Sequence, residues 1–290
     1  MKDYLLYSTA AQGNVRCLTA ITTDLTQSAQ AKHHLFPVAS AALGRLLTGG
    51  LLMASSEFKG KERLNLRING DGPLGQMFVD AGIGEARGYV ANPQIELPLN
   101  SHGKLDVKKG VGNGELTIIK DLRLKEPYVS TMQLISGEIA EDLTYYYATS
   151  EQKPSSFGLG VLVDTNGKII SSGGFLVQIM PDATDEQVNA VEQNIAEING
   201  VVDFIKKNNT PEKMAEKLLV NLSPKPLDKQ PLDYRCSCDR QRFTKGLISL
   251  GKNELENMLQ EKKQFELSCH FCNSTYIFTQ TDIVNLLKEI

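Results

Sequence analysis

Four of the five cysteines in this 290-residue chain fall in its last fifth, as Cys236-Ser-Cys238 and Cys269-His-Phe-Cys272. Residues 239 to 268 separate the two pairs. Four thiolates at two close spacings can close a tetrahedron around one Zn²⁺. The same sulfurs can instead pair as two local disulfides and let a metal go. A segment this small has little core of its own, so it depends on its metal for much of its fold.

The rest of the chain is long enough to bury a core without staples. Hydrophobic residues make up 41% and charged residues 22%, the mix of an ordinary globular protein. The net charge of −3 sets up no strong field toward nucleic acid or an anionic membrane. The first residues lack the apolar run of a signal peptide. The greasy stretch Leu46 to Ala54 is too short and mixed to span a bilayer. A cytoplasmic location follows as an expectation. There, clustered cysteines read as metal-binding or reactive before they read as structural bridges.

Residues 1–180 mix strands and helices without βαβ regularity, so the expected class is α+β, with a mixed or antiparallel sheet in this core domain. Asn14 to Asp24 reads as a strand, and the small apolar run Ala39 to Ser55 as a buried helix. Gly70-Asp-Gly72-Pro-Leu-Gly75 matches the GxGxxG dinucleotide fingerprint formally. That fingerprint requires a helix to start inside it. Here Pro73 and the following Gln-Met-Phe-Val-Asp predict a hairpin turn between strands, and Gly82 to Val90 extends them to an antiparallel meander. Glu115 to Asp121 and Tyr128 to Ile135 predict a further strand pair. Gly137 to Gln152 reads as helix, and Asn166-Gly167 as the turn of a hairpin between Phe157–Asp164 and Lys168–Met180.

Character changes at Pro181, where glycines nearly vanish and charges rise. Thr184 to Asn208 is expected to form a helix capped by Thr184 or Asp182, and Thr210-Pro211-Glu212 starts a second one. Leu222 to Pro226 ends it and Pro231 closes a linker. The expected organisation is a core domain at 1–180, a helical linker at 181–232 and a small C-terminal zinc-binding module at 233–290. In that module Thr244–Ile248 fits a short helix or strand. Gly251–Lys262 fits a charged helix, Ser274–Phe278 a strand, and Asp282–Glu289 a final helix.

The metal candidates are Cys236, Cys238, Cys269 and Cys272. Iron–sulfur is a minor alternative to zinc, and a permanently closed structural zinc site is a major one. His270 lies inside the CxxC, but four thiolates already fill a tetrahedral site, so a surface role is expected. Two features favour redox activity. CxC holds its sulfurs closer than CxxC, and Arg235, Arg240, Arg242 and Lys245 surround the first pair, where cations would favour thiolates. Those cations also fit a solvated or nucleic-acid-binding surface, though no interleaved aromatics support base stacking. Cys17 reads as a buried inert thiol. No GxSxG, HExxH or P-loop is present. His33 and His34 are expected to cap or pack, and nothing joins Asp71, Asp80, Glu138, Glu141 and Asp142 into an acid/base couple.

Several segments resemble one family: ASAALGRLLTGGLLMAS (39–55), INGDGPLGQMFVDA (68–81), GELTIIKDLRLKEPY (114–128), SGEIAEDLTYYYATSEQKPSSFGLGVLVD (136–164), GGFLVQIMP (173–181) and the closing CxC…CxxC. Together they are similar to the redox-regulated molecular chaperones of the heat shock protein thirty-three family, over essentially the whole chain. The resemblance implies an ATP-independent holdase with no catalytic residues. It implies one Zn²⁺ per chain on the four thiolates in the reduced, inactive form, with the linker packed on the core. It further implies that oxidation pairs Cys236 with Cys238 and Cys269 with Cys272, releases zinc, unfolds the module and linker, and exposes a surface for unfolding client proteins under oxidative and heat stress. Oxidised chains are expected to form homodimers, and neither a membrane nor a nucleic acid is an expected partner. Two other classes remain open on the residues alone. A nucleic-acid-binding zinc ribbon would show salt-dependent binding in the reduced state. A CxxC oxidoreductase would reduce insulin, but the usual βαβ context is missing.

Overall fold

The computed structural model of the chain describes residues 2–261 and 264–288. Two compact units emerge, Met1–Arg235 and Cys236–Ile290.

The first unit opens with strands β1 (Tyr4–Ala10) and β2 (Val15–Ile21) and helices α1 (Thr23–His33) and α2 (Pro37–Glu57). A meander follows, β3 (Arg63–Gly70), β4 (Gln76–Gly82) and β5 (Glu85–Val90), then α3 (Val107–Val111), β6 (Gly114–Asp121), β7 (Tyr128–Gln133) and α4 (Ala140–Thr149). The hairpin β8 (Ser155–Val163) and β9 (Ile169–Ile179) turns at Asn166-Gly167. Next come α5 (Asp185–Ala196), α6 (Val201–Lys207), α7 (Pro211–Leu218), β10 (Lys225–Pro231) and the short β11 (Asp233–Tyr234). The strands make a five-stranded sheet in the order β10-β1-β2-β9-β8 and a six-stranded sheet in the order β11-β5-β4-β3-β6-β7. Every pairing is antiparallel except β11 with β5. The class is α+β, as the segment pattern predicts.

Helix α2 explains how the two sheets share a core. It is apolar nearly all round, as expected of a helix with no solvent face, and it packs on β8 and β9 of one sheet and on β4 and β5 of the other. By length and mean hydropathy it could cross a membrane, yet 94% of its apolar window is buried inside the fold. Close packing requires its small residues. A Cβ on Gly44 would lie 2.5 Å from Thr26 Cγ2 and 2.8 Å from Val161 Cγ2. Gly70 to Gly75 forms the β3–β4 turn, and its backbone bonds to the last residues of α3 through Gly72 N to Val111 O at 3.0 Å and Leu74 N to Gly110 O at 3.0 Å. No helix starts there, so the GxGxxG match is a turn.

The opposite face of the first sheet is covered by the segment after Pro181. Val15, Cys17, Phe175 and Val177 from β2 and β9 pack with Val191 of α5, Leu218 of α7, and Leu219 and Leu222 in a second apolar cluster. Thr184 caps α5 in a capping box with Gln187, and Thr210 caps α7 ahead of Pro211. Two details differ from the sequence reading. Thr184–Asn208 is not one helix, because Gly200 at φ +108° breaks it into α5 and α6. The proline-rich stretch after α7 is not only a helix end. It forms β10, an edge strand pairing antiparallel with β1. Pro226 and Pro231 are tolerated because an edge strand has one side free of ladder bonds.

Asp3 makes this unit's stability depend on pH. It is 3% exposed, and one carboxylate oxygen accepts from Leu25 N at 2.7 Å near the start of α1 while the other has no partner. Burial outweighs the backbone hydrogen bonds and pushes its pKa up from 3.8 to about 6. The folded state therefore holds this proton more tightly than the unfolded chain does. Its stabilising contribution is complete below pH 3.8 and is lost as pH rises through about 6. The loss is at most about 3 kcal/mol. In urea unfolding of the first unit between pH 4 and 7, Asp3→Asn should flatten that slope, because asparagine never ionises. Parallel slopes for the two proteins would refute this.

Candidate metal centre

The second unit is built from α8 (Arg240–Ile248), α9 (Lys252–Glu261), the hairpin β12 (Gln264–Ser268) and β13 (Thr275–Thr279), and α10 (Gln280–Leu287). The sequence-expected helix at Gly251–Lys262 is α9, with Lys262 outside the described residues, and the expected final helix is α10, with Glu289 likewise outside. Among the described residues the fully buried part of its core is small: Leu247, Leu255, Phe278, Ile283 and Leu286.

Two turns carry the cysteines. Cys236 and Cys238 lie just ahead of Asp239, whose carboxylate caps α8 by accepting from Arg242 N at 2.7 Å. Cys269 and Cys272 sit in the turn between β12 and β13. There Cys269 N donates to Ser274 O at 2.9 Å and Asn273 N donates to Cys269 O at 2.7 Å. The fold brings the two turns together, so that all four Sγ atoms lie within 4.8 Å of one another. Cys236 and Cys269 sulfurs are 3.7 Å apart, and those of Cys238 and Cys272 are 3.3 Å apart. A tetrahedral ZnS₄ site with bonds of about 2.3 Å has S–S edges of about 3.8 Å, so the donor set fits a tetrahedral ion of that size. None of the five cysteines, all among the described residues, is joined in a disulfide.

The sulfurs are unequal. Burial raises the Cys269 thiol, and burial first, then hydrogen bonding among the sulfurs, pushes Cys238 up to about 12. Cys272 meets the same burial, but the hydroxyl and backbone N–H of Ser274 stabilise its thiolate and bring it down to about 6. The flanking cations are placed differently from the sequence expectation. Arg240 pairs with Asp282 at 3.0 Å and covers the Phe278 ring at 4.2 Å. Arg235 ends the first unit and faces Glu85 at 3.7 Å. Arg242 and Lys245 are exposed. Hydrogen bonds from Ser274, rather than a ring of cations, are what favours a thiolate here. Sequence reasoning missed Ser274 and Tyr276. The signal was the spacing of two from Cys272 to Ser274 to Tyr276, which leads into β13 and repeats one face.

The remaining candidates are placed within their own units. His270 is exposed. His33 Nε2 sits 3.1 Å from the Tyr234 hydroxyl, and His34 ends α1 in the left-handed region. His102 is exposed in a loop. Cys17 is fully buried in the first unit, and burial pushes its pKa up to about 12. Asp80 is held by Arg63 at 2.9 Å and Arg87 at 2.8 Å. Asp142 accepts from Ile135, Ser136 and Ile139 backbone N–H groups at the start of α4. Asp71 accepts from Asn113 N, Glu138 pairs with Arg45, and Glu141 is exposed.

An α+β body joined to a small four-thiol unit is the class that fold and site define. The family model described as Hsp33 protein matches residues 3–279. A 33 kDa chaperonin of Ruminiclostridium cellulolyticum is 45% identical, covering 100% of this chain and 99% of that protein. A 33 kDa chaperonin of Bacillus pumilus is 42% identical over 99% of each, and that of Bacillus subtilis is 41% identical over 99% of each. The crystal structure of the 33 kDa chaperonin, a heat shock protein 33 homolog, from Thermotoga maritima superposes with a TM-score of 0.92 at 36% identity, covering 100% of this chain and 99% of that one. The chain belongs to the Hsp33 family, and its function is that of a chaperone.

Proposed function

We propose that this chain is a redox-switched, ATP-independent holdase. Residues 1–180 are the body, 181–232 the linker and 233–290 the switch. In the reduced state Cys236, Cys238, Cys269 and Cys272 hold one Zn²⁺, which supplies the folding energy the small unit lacks. The observation that carries this reading is the gathering of four thiols from two separate turns into one cluster within 4.8 Å, over a core of few buried side chains.

The switch is thiol chemistry. Each pair of thiolates gives two electrons to one peroxide, whose O–O bond breaks to two hydroxides as an S–S bond forms. Two peroxides thus convert four thiolates to two disulfides, and the sulfurs no longer have the charge to hold the ion. Pairing within each turn, Cys236 with Cys238 and Cys269 with Cys272, is the family expectation. All four sulfurs are mutually close, so local pairing also closes the shortest loops. With the ion gone the module unfolds, the linker loses its anchor, and the apolar face beneath α5 and α7 becomes available to unfolding proteins. Oxidised chains dimerise. The working compartment is the cytoplasm, where thiols rest reduced.

The test is light scattering from a heat-unfolded reporter protein in the presence of this chain, reduced and zinc-loaded or treated with peroxide at mild heat. Oxidised protein should suppress aggregation at about stoichiometric amounts, and reduced protein should not. Equal suppression by both forms would contradict the switch.

A further inference from the structure

The zinc reading leaves open what holds the first cysteine pair in place. Among the described residues the Tyr276 hydroxyl is well situated to do so. It donates to the backbone carbonyl of Cys238 at 3.0 Å and lies 3.4 Å from the Cys238 sulfur. Its ring packs against Phe243 of α8 at 4.8 Å between centroids, in the apolar cluster of this unit. One side chain therefore spans the sulfur cluster and the core. The second pair has a smaller counterpart in Ser274, whose Oγ is 3.3 Å from Cys272 Sγ. Groups that orient the ligands of a metal site commonly contribute 10- to 100-fold to its affinity.

We infer that Tyr276 is a positioning residue for the metal centre. It fixes the Cys236-Ser-Cys238 turn through its hydroxyl and ties the state of that turn to the Phe243 side of the core. The inference rests on the zinc reading above. The hydroxyl reaches both carbonyl and sulfur from one position, so it restrains Cys238 in χ and in backbone at once. When the sulfur is lost as a ligand, the same residue connects that change to the packing of α8. Ser274 holds the second pair, Cys272 through its hydroxyl and Cys269 through its carbonyl, which accepts from Cys269 N at 2.9 Å.

The test uses full-length Tyr276→Phe, which keeps the ring against Phe243 and removes only the hydroxyl. Zinc affinity is measured by chelator competition, and zinc release is followed with a metal indicator during peroxide treatment. The expected result is affinity weakened about 10- to 100-fold and faster release, with the protease resistance of the zinc-saturated C-terminal unit unchanged. Ser268→Ala serves as the control, since it removes the 3.1 Å hydroxyl contact with Thr275 in the same hairpin without touching a sulfur. Affinity and release within twofold of the parent would overturn the inference. So would an equal loss in Ser268→Ala, or lowered protease resistance of the zinc-saturated Tyr276→Phe protein, since each marks a merely structural role. If the parent protein itself binds no zinc, the zinc reading fails first, and the parent measurement reports that separately.

Discussion

Replacing Cys272 with serine is expected to unfold the whole C-terminal unit and release the 181–232 linker while residues 1–180 stay folded. The apolar core of this unit rests on a handful of buried side chains. A structural zinc site supplies on the order of 10 kcal/mol of apparent folding free energy, more than so small a core holds in reserve. Serine keeps the size of the side chain but removes the thiolate that Ser274 stabilises, at the sulfur with the lowest pKa of the three that shift, about 6. With three sulfurs left, zinc content should fall from about one per chain to near none. Proteases should then cut between 236 and 290 within minutes, cut the released linker next, and leave a resistant fragment ending near Pro181. A variant that loses zinc but keeps a protease-resistant C-terminal unit would contradict metal-dependent folding.

Placing a charge under the linker should release it without any oxidant. Leu218 of α7 is fully buried among Val15, Cys17, Phe175 and Val177. In Leu218→Glu the carboxylate meets no partner there, and burying it costs several kcal/mol, so it moves to water and takes α7 with it. A helix as short as Pro211–Leu218 has little stability once undocked. Cys17 reports the event. Burial holds its thiol at about 12, well above the ordinary thiol range. Exposure should raise its thiolate fraction, and with it the rate of labelling, by about a thousandfold, as located by peptide mapping. The reduced variant should also suppress aggregation of a heat-unfolded reporter. Slow labelling of Cys17 would show the linker still docked. Fast labelling without suppression would show that the face under α7 is not the client surface.

Much of this was legible in the residues because single segments declared it. The run of small apolar residues around Gly44 and Gly49 could only be a helix buried on all sides, and α2 is one. Asn166-Gly167 specified its hairpin, and the spacing of the four cysteines specified their meeting. Other parts depend on partners distant in sequence. Strand β10 reads Lys-Pro-Leu-Asp-Lys-Gln-Pro and is nearly all exposed, so no periodicity marks it. It exists through pairing with β1, more than 200 residues away by number, as Tyr4 opposite Pro231 illustrates. Helix α1 buries only Leu25, Thr26 and Ala29 and carries almost no apolar stripe. Arg240 looked like a cation for the thiolates, but Asp282, a residue of α10, pairs with it. Likewise the contact of Tyr276 with Cys238 links β13 to the turn before α8. Such pairings are set by tertiary packing, which local sequence does not encode.

If loss of the ion and gain of chaperone activity are one event, the two must advance together. The most direct measurement follows zinc content, free thiols and aggregation suppression together along a single course of peroxide oxidation at mild heat. About one zinc per chain and the thiols of Cys236, Cys238, Cys269 and Cys272 should be lost as suppression rises, with the three curves sharing one midpoint. Full suppression while the zinc and all four thiols remain, or complete zinc loss with no suppression, would contradict it.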